Sequence, residues 1–473
     1  MKNKILSQYN KFREISLRYL KKEKYEKFMR TVYIMSGYMY TFNQIYQDDI
    51  TEKRILHMVE KILPAPKRNH RNEKEILFFD SYGNDYRGLA YIYVKALIEL
   101  GYNISYVVRV DKKESILRIR NLIGEGNVNY IVNANLVAQT KEIYEIIETS
   151  SCKKAFLYFT PDDVAAISAF ARFNGVLDRY LINLTDHAFW LGKCAFDYLI
   201  EFREYGARIS LQQRNIDESQ IRILPFYPQI VKNSFQGFPF DSNGKKVIFS
   251  GGHLYKTFDE YNTYYSLVER IISRHVDVVF YYLGNGDQSE LQSLQRKYPQ
   301  QVFYGKERED VFEIIRHSYF YLSTYPYAGG LMTQYACLAK KIPLTLVKKG
   351  NKLEGAVQIK NVKWRFNKME EICEYIDFLV ENESYLKEQE QKMQTDIIGE
   401  QEFRHKLENI VLNKKHLKVE NIPVDVTEFM EHPLENLSFA SFSAMFCRKK
   451  GLFMFIHFPR YFVRGFIKNF WGV

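Results

Sequence analysis

The chain has little of what would mark it as secreted, membrane-spanning or built around a metal. Its five cysteines, Cys152, Cys194, Cys337, Cys373 and Cys447, are widely spaced, with no C-x-x-C pair and no accompanying histidine cluster. An odd, scattered set argues against a disulfide framework and a zinc module, and fits reduced intracellular thiols. No uncharged apolar run reaches the ~20 residues of a spanning helix. The opening MKNKILSQYNKFREISLRYLKKEKYEKF is charged throughout and lacks the apolar centre of a signal peptide, so a cytoplasmic location is expected. The glycine fingerprint of dinucleotide folds, G-x-G-x-x-G, is missing from the first strand–helix loop, SYGNDYRG, where Gly83 and Gly88 stand alone. RRM, KH and helix-turn-helix patterns are absent too, which speaks against nucleic acid as a partner.

What is present points to two domains and an anionic ligand. A chain of 473 residues is too long for one compact core. A net charge of +11 favours phosphates or an acidic surface as partner. Aromatic residues make up 16% and are scattered, so core packing explains most of them. Residues 1–71 read as a helical extension closed by Pro64-Ala65-Pro66, with no chemistry assigned to it. From residue 75, short apolar strands (ILFFD, ISYVVRV, VNYIVNA, KAFLYFT, DRYLINL) alternate with amphipathic helices. That alternation predicts a parallel sheet covered on both faces. Three prolines between residues 225 and 243 break the pattern, and a second strand–helix series starts at KKVIFSGG. The expected fold class is therefore α/β, with doubly wound domains over 72–235 and 236–415. The segment 369–415 reads as long, charged and helical, and 416–473 as a basic aromatic tail. Two such domains joined by a linker are expected to bind a ligand between the carboxyl ends of their strands.

The stretch FYLSTYPYAGGLMTQYACLAKKIPLTL, residues 320–346, organises this reading. It predicts a buried strand, a loop, a Gly-Gly pair and a helix. First-turn amides have no intrahelical partner and the helix dipole is positive there, which makes an anion site. Gly329 and Gly330 let a phosphate approach the backbone, and Thr333 falls in the first turn with a hydroxyl to add. An ordinary strand-to-helix turn is the alternative. Lys256, after the strand and the Gly251-Gly252 turn, supplies a cation of the kind a departing diphosphate needs, or is a surface lysine.

Several of these segments resemble the GT-B glycosyltransferases. SGGHLYKT, residues 250–257, is similar to the glycine-plus-lysine loop of the GT-B donor domain, and TYPYAGG with the following helix and K-x-P-L resembles its diphosphate loop. NLTDHAFWLG, DYLIEFREYGARIS and ILPFYP look like the acceptor half of bacterial surface-polysaccharide transferases related to the O-linked N-acetylglucosamine transferases. The resemblance spans roughly residues 75–400. It implies two Rossmann-like domains facing a cleft, a nucleotide-sugar donor bound by Gly251, Gly252, Lys256, Arg308, Tyr327, Gly329, Gly330 and Thr333, and no further cofactor. Many retaining members carry two glutamates eight apart at this loop. Aligned on Pro343, this chain has Ala328 and Ala336 there, which leans the reading towards inversion.

Inversion needs a base for the acceptor hydroxyl. Asp186-His187 ends the strand DRYLINL, and histidine suits proton transfer near neutrality. The alternative is a polar pair capping a helix over residues 189–195. Glu201 and Arg203 in IEFREYG are expected to face the cleft as well, and Arg308 in GKERED either meets the nucleotide or belongs to a solvated charge run. The tail carries Arg448, Lys449, Lys450, Arg460, Arg464 and Lys468 among Phe, Leu, Ile and Trp471, with no acid after Glu435. It suits an interfacial segment on anionic lipid, or a terminal helix packed on the protein. The expected activity is metal-independent transfer of a sugar to a lipid-linked glycan in capsule or other surface-polysaccharide synthesis, at the inner face of the cell membrane. A protein O-glycosyltransferase and a non-catalytic GT-B-like subunit are the alternatives.

Overall fold

The computed structural model describes residues 2–67, 71–86, 88–230, 233–259, 261–347, 364–412, 418–420, 422–427 and 429–431, with four single positions beyond. The chain divides into two compact units, Met1–Pro225 with Gln401–Val473, and Phe226–Glu400.

The first unit opens with helices α1 (Lys2–Lys21), α2 (Tyr25–Phe42) and α3 (Asp49–Ile62). In α1, Ile5, Tyr9, Phe12, Ile15 and Leu20 recur at steps near the helical period and are buried. They join one apolar cluster with Leu77, Phe79 and Leu157 from the following sheet and Phe170 from a helix that covers it, so the extension shares the first unit's core. The sheet series then runs β1 (Asn72–Asp80), α4 (Ala90–Glu99), β2 (Asn103–Arg109), α5 (Leu117–Ile123), β3 (Val128–Ile131), α6 (Leu136–Thr149), β4 (Cys152–Tyr158), α7 (Val164–Ala171), β5 (Asp178–Asn183), β6 (Tyr198–Glu201), α8 (Glu204–Gln213) and β7 (Ile221–Ile223). Its strand order is β3-β2-β1-β4-β5-β6-β7, all parallel. In β1 the last five residues are buried without alternation, as a strand covered on both faces requires.

The second unit contains β8 (Lys246–Gly251), α9 (Thr263–Arg274), β9 (Val278–Leu283), α10 (Ser289–Lys297), β10 (Val302–Gly305), α11 (Val311–His317), β11 (Phe320–Leu322), α12 (Gly330–Leu338), β12 (Pro343–Leu346), β13 (Arg365–Phe366), α13 (Met369–Glu381) and α14 (Glu383–Lys392). Its order, β10-β9-β8-β11-β12-β13, repeats the doubly wound pattern, with the switch point between β8 and β11.

Three expectations change in detail. The proline-rich stretch is not slack: Phe235, Phe238 and Phe240 pack beside Tyr281 and Phe303, and the Phe240 and Phe303 rings stack 4.3 Å apart. The segment after Met369 is three helices, and only the last, α15 (Glu400–Val411), returns to the first unit, where Phe403 meets Tyr93 edge-on at 5.1 Å. Residues 189–195 form no α-helix. Phe189, Trp190 and Leu191 are buried in an irregular loop before a 3₁₀ turn at Lys193–Ala195.

Candidate functional site

In the second unit, the loops that follow the two switch-point strands meet. Gly252 takes a φ of +137°, open to glycine and strained for other residues. Its amide donates to Leu283 O at 2.9 Å, which turns the chain sharply out of β8. Lys256 follows on a 3₁₀ turn, and its carbonyl accepts from the Tyr327 amide at 3.3 Å. The loop after β11 is thereby tied to the loop after β8, with Gly251, Gly252, Lys256 and Tyr327 in one place. Lys256 has no ion-pair partner among the described residues, and burial lowers its ammonium from the usual lysine range.

Gly329 is the N-cap of α12, and the first intrahelical bond is Thr333 N–H to Gly329 O at 2.9 Å. The amides of Gly330, Leu331 and Met332 therefore lie ahead of the ladder. Thr333 is fully buried and its hydroxyl donates back to Gly329 O at 3.0 Å, so it braces the turn from within. Beneath Gly329 lies the Tyr321 hydroxyl, 3.7 Å from where a Cβ would project. That hydroxyl and the one of Ser323 are both buried, and the two interact with each other. No cue in the sequence marks these two hydroxyls, because both lie at an apolar strand end. Arg308 is placed differently: its Nε and Nη2 clamp Asp310 at 2.8 and 2.6 Å, and Asp310 also takes the Gln236 amide at 2.9 Å.

In the first unit, Asp186 and His187 follow β5. Asp186 is fully buried, and Arg203 Nη2 donates to its Oδ1 at 2.9 Å while Nε donates to Oδ2 at 2.5 Å. Burial alone would raise this carboxyl. The Arg203 charge and the bonds from His187 and Arg203 outweigh it and hold the group well below the usual carboxylate range. His187 Nδ1 lies 3.2 Å from Asp186 Oδ1, which assigns the proton to Nδ1 and leaves Nε2 as an acceptor. The imidazole is 43% exposed, so that second nitrogen is reachable.

Glu201, at the end of β6, is fully buried beside this pair. It accepts from Asn183 Nδ2 at 2.9 Å and Ser210 Oγ at 2.5 Å, while its Oε2 has no partner. Burial, then the Asp186 charge, pushes its carboxyl up to about 7. Gly206 in α8 is what lets these groups share the space: a Cβ there would stand 2.7 Å from both Asp186 Oδ2 and Glu201 Oε2.

Two supports were not legible in the sequence. Arg214 Nη2 donates to the carbonyls of Asp186 and Ala188, at 2.7 Å each, from the far end of α8. The N-terminal helices hold the same loop. Asn43 Nδ2 donates to His187 O at 2.9 Å, its Oδ1 accepts from the Phe189 amide at 2.9 Å, and Tyr46 donates to His187 O at 3.2 Å. Glu52 of α3 accepts the amides of Gly192, Lys193 and Cys194 at 2.7 to 3.2 Å.

No family model matches the sequence, and no curated protein matches it. Solved structures do. A UDP-N-acetylglucosamine 2-epimerase superposes with a TM-score of 0.52 at 11% identity, over 74% of this chain and 99% of that one. A glycosyltransferase from Rickettsia africae ESF-5 superposes with a TM-score of 0.50 at 14% identity, over 77% of this chain and 100% of that one. The fold is GT-B. An O-GlcNAc transferase variant from Thermobaculum terrenum is also similar, at a TM-score of 0.48 and 14% identity over 86% of this chain and 78% of that one. At such identities the GT-B likeness is one of architecture, two Rossmann-like units with helical additions.

Proposed function

We propose that this GT-B chain is a glycosyltransferase that moves a hexose from a nucleotide sugar to a hydroxyl of a lipid-linked glycan, with inversion and without a metal ion. The observation that carries the reading is Lys256, an unpaired and partly desolvated ammonium on the loop bonded to Tyr327, three residues before the α12 amides. A diphosphate is the ligand such a group and such amides suit. Gly251, Gly252, Gly329 and Gly330 leave it room, and Tyr327 lines the loop. Arg308, held by Asp310 and Tyr281, borders the nucleotide in this reading. The epimerase neighbour is named for UDP-N-acetylglucosamine, so uridine diphosphate sugars are the first donors to try.

In the proposed step the acceptor oxygen attacks the anomeric carbon from the face opposite the diphosphate. The carbon–oxygen bond to the β-phosphate breaks and its electron pair leaves with the diphosphate, whose charge Lys256 and the α12 amides stabilise. The hydroxyl proton passes to His187 Nε2, while Asp186 holds Nδ1 and stabilises the imidazolium. Absence of the paired glutamates, with Ala328 and Ala336 in their stead, supports inversion. The basic tail supports a site of action at the inner membrane face; its cations lie outside the described residues, and no helix among those described is long and apolar enough to cross a membrane.

The test is calorimetry with a panel of nucleotide sugars, then turnover with the one that binds. Lys256→Ala should weaken donor binding and kcat/KM by ten- to about a hundredfold, the loss of one charge-assisted contact of about 1.5–3 kcal/mol. Unchanged binding makes Lys256 a surface residue and ends the donor assignment. Release of an epimerised sugar without transfer would replace the reading with a nucleotide-sugar epimerase.

A further inference from the structure

The chain's positive charge is not spread over the fold. Against a total of +11, residues 1–30 hold ten Lys and Arg and three Glu, and residues after Glu435 hold six cations and no acid. Everything between is slightly acidic. The candidate site therefore sits in a body without net positive charge, and the cations are concentrated in two segments the Rossmann-like sheets do not need.

In the N-terminal segment the structure shows how they are displayed. Lys4, Lys11 and Arg18 are spaced seven apart on α1, which puts them along one line with a drift of about 20° per heptad. At 1.5 Å per residue that line is about 21 Å long. It continues through Lys21, Lys22 and Lys24 at the turn into Lys27 and Arg30 of α2, and all eight side chains are exposed. Arg18, Lys21, Lys22 and Lys24 make no ion pair among the described residues, while Glu26 is taken up by Arg30 at 2.6 Å. The opposite side of α1 is already used: Ile5, Tyr9, Phe12, Ile15 and Leu20 are locked into the first unit's core. The helix has no apolar face left to insert into anything.

We infer that the exposed cationic face of α1 and the α1–α2 turn is a docking surface for an anionic lipid bilayer, acting by charge alone. Phosphate on a duplex or a single strand is the competing anion. Binding to single strands uses aromatic platforms, and here Tyr19 and Tyr25 are half-buried, with the Lys27 ammonium 5.9 Å from the Tyr19 ring. A long convex row of cations matches a broad planar anionic surface. Because nothing inserts, attachment through this face is screened away at high salt, unlike attachment through a segment that buries aromatic area. The inference does not depend on the transferase reading, since adsorption is measured without turnover.

The test is co-sedimentation of the full chain with phosphatidylcholine vesicles, with and without phosphatidylglycerol, across a salt series. The variant R18E/K21E/K22E leaves the tail untouched. Each cation at an anionic surface contributes roughly a fivefold factor in partition, so partition onto the acidic vesicles at low salt should fall by about a hundredfold or more, with the melting temperature unchanged. If the reversals unfold the chain, the milder R18Q/K21Q/K22Q set decides, with at least a tenfold fall expected. Partition equal to that of the parent overturns the inference, as does equal binding of the parent to vesicles without phosphatidylglycerol. A duplex DNA that binds the parent more tightly than the acidic vesicles, and loses that binding in the variant, overturns it in favour of nucleic acid.

Discussion

At the scale of single residues, the first unit's polar cluster is built so that its two carboxyl groups differ. Asp186 is clamped by Arg203 and stays ionised, whereas Glu201, buried next to that charge, is pushed up to about 7. For an acid whose folded-state value is raised, the folded chain holds the proton more tightly than the unfolded chain does. Its stabilising contribution is complete below the ordinary glutamate value near 4.3 and is lost as pH rises through about 7. The melting temperature should therefore decline between about pH 4 and 7, and Glu201→Gln should flatten that slope; an unchanged slope places the titration elsewhere, with Asp80, raised to about 6 by burial, the next group to examine. His187→Ala should leave donor binding intact and lower turnover by roughly 10²–10⁴, the range for a lost general base. Asp186→Asn should cost more than turnover, because it leaves the buried Arg203 without its counter-charge and shows as a lower melting temperature. Near-normal rates in both variants would mean the pair only shapes the loop.

Among elements, the informative relation is between the N-terminal helices and the loop after β5. Asn43 stands at the left-handed C-cap of α2, with φ 45°, a conformation asparagine tolerates, and its amide bridges His187 O and the Phe189 amide. Asn43→Ala removes both bonds and leaves the buried Phe189 amide unpaired, with His187 O keeping only the Tyr46 hydroxyl, at a cost of about 1–3 kcal/mol. Urea unfolding should show that loss, and turnover should fall with it because the His187 loop is held by fewer bonds. A variant with full stability and full turnover would show that the helices are not the support of this loop. The same relation separates α1 from a detached arm: its apolar side belongs to the core and its cationic side is exposed.

For the whole molecule, the division of labour follows the charge. The body between the terminal segments is close to neutral, and the terminal segments carry the cations. Removing residues 447–473 should reduce attachment to acidic vesicles while turnover on a soluble acceptor analogue survives. High salt alone should weaken the tail's attachment only in part, because buried aromatic area is not screened. A truncated chain that melts early or loses turnover on the soluble acceptor would assign the tail to the fold. Vesicle sedimentation and a melting curve on one preparation distinguish the two.

The sequence alone was enough for the alternation of strands and helices, the break after Pro225, the glycine turn before α12 and the pairing of Asp186 with His187. These are local: strand and helix periods repeat within a few residues, and glycine or proline interrupts them where the backbone demands it. The position of the charges was legible too, because composition needs no fold. What the tertiary structure decided is every bond between distant residues. Arg203 reaches Asp186 across the gap between β5 and β6, which are paired with Asn183 opposite Glu201. Arg308 turns to Asp310, which also accepts the Gln236 amide, a choice made by how residues 226–245 lie on their own sheet. The helices before residue 64 became the scaffold of the His187 loop because their buried polar groups, Asn43 and Glu52, needed partners that only that loop supplies. Periodicity tells which face of an element is buried; which polar group it then meets depends on strand order and register, and those are properties of the assembled sheet.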